Sequence, residues 1–153
     1  MTTRPLLHHI IMNFALSISL RSTCARMNVG AVITSLDLSQ IYSYGYNGVA
    51  KGLFNNCLSN EAGNCGCIHA EQNALIKQRN KESSILFCSH QPCPKCQMLI
   101  LNSNVSLVYY KSIYREPLQD WFLKSHVKAF CINDLTPEIF LFHHFELKNG
   151  RKI

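Results

Sequence analysis

Charge is scarce in this sequence. Only 16% of its 153 residues are Asp, Glu, Lys or Arg, and no five or six like charges run together. That pattern excludes a charged, disordered interaction tail. Long apolar runs are missing too. The stretch from Leu6 to Leu20 is broken by His8, His9, Asn13, Ser17 and Ser19, so it is too short and too polar to span a membrane. It carries one early Arg4 and no small-residue cleavage site, so a signal peptide is not expected. Acidic residues number 9 against 15 Lys and Arg, a formal charge of +6. This modest, scattered excess suits an anionic partner, a nucleotide phosphate or a nucleic acid, without marking a nucleic-acid tail. Repeats, low-complexity segments and linkers are also absent.

What is present is a 47% apolar composition and 8 cysteines. The apolar content is enough for a buried core, and the length points to a single domain over residues 1–153. Cysteines without an export signal point to metal binding rather than disulfides, and to the cytoplasm.

Leu6, Leu7, Ile10, Ile11, Phe14 and Ile18 recur at helical spacing, which predicts an amphipathic helix over residues 5–21. Val29–Thr34 and Gln40–Tyr44 are β-rich and read as a hairpin. Residues 45–67, rich in Gly, Asn and Cys, read as a long loop of the kind that is functional or stapled. Beyond it the pattern predicts a helix over 68–80, a strand over Ile85–Ser89, a helix over 93–103 and a strand over Leu107–Tyr110. A helix over 117–125, a strand over Val127–Ile132 and a short last helix near Ile139–Phe142 follow. Alternating strands and helices after an opening hairpin make an α/β sandwich.

The chemistry concentrates in His69-Ala70-Glu71 and Pro92-Cys93-Pro94-Lys95-Cys96. Pro94 suits the first helical position, which makes Cys93 the N-cap and puts both sulfurs at the positive end of a helix dipole. His69, Cys93 and Cys96 are the candidate zinc ligands. Three protein ligands leave a fourth zinc position open, as in a catalytic site. Glu71 is then a free carboxylate able to move protons as general acid and base. This H-x-E…P-C-x-x-C order is an established signature of zinc nucleobase deaminases. A purely structural zinc, or a chance Cys-x-x-Cys, would have no use for Glu71.

The flanking segments narrow the reading. Cys24-Ala25-Arg26, Val29-Gly30-Ala31-Val32-Ile33, Gly45-Tyr46-Asn47-Gly48 and His69-Ala70-Glu71-Gln72-Asn73-Ala74-Leu75 together resemble the deoxycytidylate (dCMP) deaminase family. The resemblance covers about residues 5–132 in element order. It implies a three-layer α/β/α sandwich around a mixed five-stranded sheet, a zinc cofactor, and conversion of dCMP to dUMP and ammonia. It implies that Asn47 binds the sugar and that backbone near Ala70 and the carbonyls around Pro92 read the ring edge. For the phosphate it implies a basic residue at the end of the catalytic helix, Lys77 or Arg79, with Tyr114 and Arg115 beyond the next strand. It also implies a homo-oligomer such as a hexamer. The chain departs from the family pattern at Val49-Ala50-Lys51-Gly52, where a proline is common, and at Gln91, where a smaller residue or an acid is common.

Cys24, Cys57, Cys65 and Cys67 match, by the same resemblance, the ligands of a second zinc found in some phage-type members. Four thiolates make a closed structural site. Cys88 and Cys131 lie in apolar strands and read as small core residues. Two other functions compete: a polynucleotide deaminase acting on tRNA adenosine or single-stranded DNA cytosine, and a non-catalytic zinc scaffold. The first would want stacking aromatics, for which Tyr109, Tyr110 and Trp121 are the candidates.

Overall fold

The computed structural model describes residues 4–61 and 63–149, with Lys148 as backbone only. The helices are α1 (Leu7–Ser19), α2 (Ala70–Lys77), α3 (Pro94–Leu101), α4 (Asp120–Leu123) and α5 (Pro137–Lys148). The strands are β1 (Gly30–Ser35), β2 (Ile41–Tyr46), β3 (Ser84–His90), β4 (Val105–Ser112) and β5 (Lys128–Cys131). They form one five-stranded sheet in the order β2-β1-β3-β4-β5. β1 runs antiparallel to β2 and β3, whereas β3, β4 and β5 are mutually parallel.

The central strands are apolar on both faces because both faces are covered. Every residue of β1 is buried, and so are the first six of β3. Val32, Ile85, Phe87, Leu107 and Tyr109 face one way, under Ile11, Met12 and Ala15 of α1 and Phe140 of α5. Their alternates Ala31, Ile33, Leu86, Cys88 and Val108 face the other way, under α2, α3 and α4. The three-layer α/β/α sandwich around a mixed five-stranded sheet is therefore as expected. Among the described residues no helix is long and apolar enough to cross a membrane.

Several boundaries differ from the expectation, α4 among them, which is four residues rather than nine. β2 runs on through Gly45 and Tyr46, because α2 packs directly on that end of the strand. A Cβ at residue 45 would lie 2.6 Å from Ala74 N and would run into the Ala70 carbonyl. α2 stops at Lys77 rather than 80, where Gln78 turns extended (ψ 116°). The last helix is twelve residues long, not a short turn. Thr136 Oγ1 caps it by accepting from Ile139 N–H at 3.3 Å, and Pro137 opens it.

α5 docks on α1 through rings. His8 is 3% exposed and stacks on Phe140 with centroids 3.7 Å apart. Burial, then the nearby His9 and His144, lower its pKa from the ordinary 6.5 to about 4. The unfolded chain therefore protonates at His8 near pH 6.5 and the folded chain only near 4, so acidification through that window favours unfolding. Urea titrations at the two ends of the window should show wild type losing on the order of 2 kcal/mol more than His8→Phe. Equal losses in the two proteins would remove His8 from the account.

Candidate active site and metal centres

Two helix starts meet at the edge of the sheet. His69 is the N-cap of α2 and Glu71 its second residue; Cys93 is the N-cap of α3, with Pro94 at the first helical position. Gln72 Oε1 accepts from His69 N–H at 2.8 Å and fixes the entry of the chain. A short bridge, Gly48 N–H to Ile68 O at 3.1 Å and Ile68 N–H to Gly48 O at 2.8 Å, sets Asn47 beside His69.

His69 Nδ1 lies 3.4 Å from Cys93 Sγ and 3.3 Å from Cys96 Sγ. The edge of a tetrahedron built on ordinary zinc–nitrogen and zinc–sulfur bonds is about 3.6 Å, so the three donors fit a zinc ion. The electrostatics agree. The Cys96 thiol, opposed by burial and helped by His69, brings the Cys93 pKa down to about 4. Sharing with Cys93 and burial push Cys96 up. The bond to Cys93 raises His69. Without a metal the cluster keeps protons that a divalent cation would displace.

Glu71 is 4% exposed. Burial raises its pKa, against its own backbone N–H and the neighbouring His69. A buried carboxyl whose pKa is raised is suited to passing a proton in both directions.

The other four cysteines close a second cluster. Cys24 Sγ is 4.0 Å from Cys65 Sγ, and Cys57 Sγ is 3.6 Å from Cys67 Sγ. All four sulfurs lie within 4.8 Å of one another. None of the eight cysteines is in a disulfide. The spacing again matches a zinc tetrahedron, with an edge of about 3.8 Å for sulfur pairs. Gly66 adopts φ +72°, which lets Cys65 and Cys67 turn to one centre. Ala25 N–H donates to Cys57 Sγ at 3.3 Å. Burial opposes the Cys24 thiolate, but N–H groups of Arg26 and Met27 and the neighbouring thiols bring its pKa down to about 7.

One pocket joins the two clusters. His69, Ala70, Glu71 and Cys93 form one side, Cys24, Cys65 and Cys67 another, and Arg26, Met27, Asn47, His90, Gln91 and Tyr114 complete the wall. Asn47 is 7% exposed. Its Oδ1 accepts from Val29 N–H at 2.8 Å and its Nδ2 donates to Met27 O at 2.7 Å, leaving one N–H and one lone pair for a ligand. Gly30 N–H donates to Ser89 Oγ at 3.0 Å, and Ser89 Oγ lies 3.1 Å from His90 Nδ1. The Ser89 hydroxyl thus holds the His90 ring through Nδ1. Burial lowers the His90 pKa.

Several expected residues stand elsewhere. Lys77 turns to β2, its Nζ 3.4 Å from Tyr44 O and 5.7 Å from the centres of the Tyr44 and Tyr46 rings. Arg79 lines a surface groove between α2 and α3. Neither lines the pocket, which lies at the N-terminal start of α2 while both residues lie at or past its C-terminal end. The Pro92 carbonyl accepts from Gln97 Nε2 at 2.8 Å, so it is occupied within the fold, and Pro92 is not in the pocket wall. Tyr114 is in the wall, whereas Arg115 lies outside and donates to Tyr114 Oη at 3.1 Å. Arg26 and Met27 were not expected as pocket residues. Their signal was the Cys-Ala-Arg segment itself, but no periodicity ties that segment to the site.

The family model for the cytidine and deoxycytidylate deaminase zinc-binding region matches residues 7–112. The chain belongs to the cytidine and deoxycytidylate deaminase family. Its zinc-binding region includes both helix starts and the loop between β2 and α2. Among the family's named proteins, a deoxycytidylate deaminase of Saccharomyces cerevisiae is 31% identical over 125 residues, 73% of this chain and 39% of that protein. The chain thus spans about two fifths of the length of that yeast relative. The deoxycytidylate deaminase of Mycobacterium phage D29 is 28% identical over 125 residues, 71% of this chain and 96% of that protein. The dCMP deaminase of cyanophage S-TIM5, solved in complex with dCMP and dUMP, superposes with a TM-score of 0.73 at 34% identity. The match covers 86% of this chain and 100% of that one.

Proposed function

We propose that the chain hydrolyses dCMP to dUMP and ammonia, as a zinc-dependent hydrolase supplying deoxyuridylate for dTTP synthesis. The observation that carries this is the cluster of His69, Cys93 and Cys96, two of which line one pocket together with the buried Glu71 and Asn47. Similarity to a cyanophage dCMP deaminase over that protein's whole length supports the choice of substrate.

In this reading His69, Cys93 and Cys96 hold the catalytic zinc, and Cys24, Cys57, Cys65 and Cys67 hold a structural one. When bound, the catalytic ion supplies Lewis acidity that makes water a nucleophile near neutral pH. Glu71 takes the proton from that water as oxygen adds to ring C4. It passes that proton to ring N3, then takes the second proton from the new C4 hydroxyl and delivers it to the amino group, so the C4–N bond breaks as C4=O forms and ammonia leaves. Ala70 stands at the first position of α2, where a helix N–H has no intrahelical partner and is free for the ring edge. Asn47 offers its remaining N–H and lone pair to the sugar. His90 and Tyr114 present further polar groups from the wall.

A polynucleotide substrate is less well supported. Tyr109 is fully buried and cannot stack on a base, and Trp121 lies on α4, outside the pocket wall. Free cysteines suit a reducing compartment such as the cytoplasm. The exposed Leu141, Phe142 and Phe145 of α5 suit association with further copies, which sedimentation of the purified chain would read as a mass above one chain. Ammonia release from dCMP, CMP, deoxycytidine, dCTP and a short cytosine oligonucleotide tests the substrate. dCMP should be turned over fastest; activity on the oligonucleotide alone would overturn the reading.

A further inference from the structure

We propose that Arg26 holds the 5′-phosphate of the substrate, the role first expected of Lys77 or Arg79; the inference rests on the nucleotide reading above. Of the described residues in the pocket wall, Arg26 is the one permanently charged cation. The helix-end cations are turned away, Lys77 onto the two tyrosines of β2 and Arg79 into the groove between α2 and α3.

Arg26 is half-buried, and one of its guanidinium nitrogens, Nη1, donates to Glu61 O at 3.0 Å. Among the described residues no carboxylate pairs with it, so its charge and its other N–H groups are free for a ligand. A guanidinium tethered at one nitrogen still presents a planar fork, which matches two phosphate oxygens. The backbone that carries it is clamped on both sides. Asn47 accepts from Val29 N–H and donates to Met27 O. Cys24 of the four-thiol cluster precedes Arg26 by two residues, its Sγ 4.0 Å from Cys65 Sγ. The residue proposed for the sugar therefore fixes the segment that presents the phosphate anchor. Cys24 ties the same segment to the second metal site. A phosphate lies one carbon beyond the sugar ring, so neighbouring anchors for the two are what a nucleoside monophosphate requires.

The test compares dCMP with deoxycytidine, which lacks the phosphate, in wild type, Arg26→Gln, Arg26→Lys and the exposed control Lys124→Gln. Arg26→Gln should raise the KM for dCMP by about 10- to 100-fold, the worth of a charge-assisted bond, with kcat within about threefold. Its kcat/KM for deoxycytidine should not change, which also shows that the variant folds. Arg26→Lys should recover part of the loss, and Lys124→Gln should change nothing. Calorimetry should show dUMP binding weakened in Arg26→Gln and deoxyuridine binding unaffected. Equal losses on dCMP and deoxycytidine, or an unchanged KM for dCMP, would overturn the proposal. A wild-type chain that turns over no cytosine nucleotide, yet loses its preference for dUMP over deoxyuridine in Arg26→Gln, would overturn the proposed function and leave the Arg26 contact standing.

Discussion

Replacing Glu71 with Gln is expected to leave zinc content unchanged and to lower turnover of dCMP by about 10³-fold. Glu71 is not needed to complete the ligand set, since His69, Cys93 and Cys96 already bring three donors together. It is nevertheless almost fully buried, and burial raises its pKa. An ionisable carboxyl is a costly group to place there for packing alone. Gln keeps the shape and an acceptor oxygen but cannot carry a proton between the water, ring N3 and the leaving amine. A structural role would appear as lost stability or lost metal; a proton-transfer role appears in kcat with both preserved. Metal analysis and initial rates on one preparation separate them, and turnover within tenfold of wild type would rule out the shuttle.

The second large effect is expected at Cys57. Purified wild-type chain should contain two zinc ions, and Cys57→Ser one, with the remaining ion held by His69, Cys93 and Cys96. Among its described residues the loop from Asn47 to Cys67 contains no regular helix or strand, and Leu53, Phe54 and Leu58 on it are exposed. It has little apolar burial to hold it, so metal binding would contribute most of its order. Cys24, Cys65 and Cys67 also wall the pocket, and Cys24 anchors the segment carrying Arg26. Loss of the second ion should therefore raise the KM for dCMP about tenfold and speed amide exchange across the loop. One zinc per chain in both proteins would remove the second site.

Local signals were readable from the sequence where one residue type has one geometric use. Pro94 could only open a helix, and that put Cys93 at its N-cap and Cys96 a turn away. β1 and β3 were legible because unbroken β-branched and apolar runs mark strands covered on both faces. The tail was harder. α5 has apolar side chains around much of its girth, yet of its described side chains only Phe140 and His143 are buried, so no clean stripe marked its length. The phosphate candidates failed for another reason. Arg79 lies past the C-terminal end of α2, where Gln78 leaves helical geometry, whereas the site sits at the N-terminal end of that helix. Arg26 lies in a coil between α1 and β1. Only tertiary ties, through Asn47 and the cysteine cluster, bring it to the pocket, and such ties leave no periodicity to read.

The central claim is that this pocket converts dCMP to dUMP with zinc held by His69, Cys93 and Cys96. The most direct measurement is product analysis after incubating the zinc-loaded chain with dCMP. The account predicts dUMP and ammonia in equal amounts, and no product once a chelator has removed the metal. A folded, zinc-loaded chain that leaves dCMP unchanged, or one that forms dUMP equally well after the metal is removed, would contradict it.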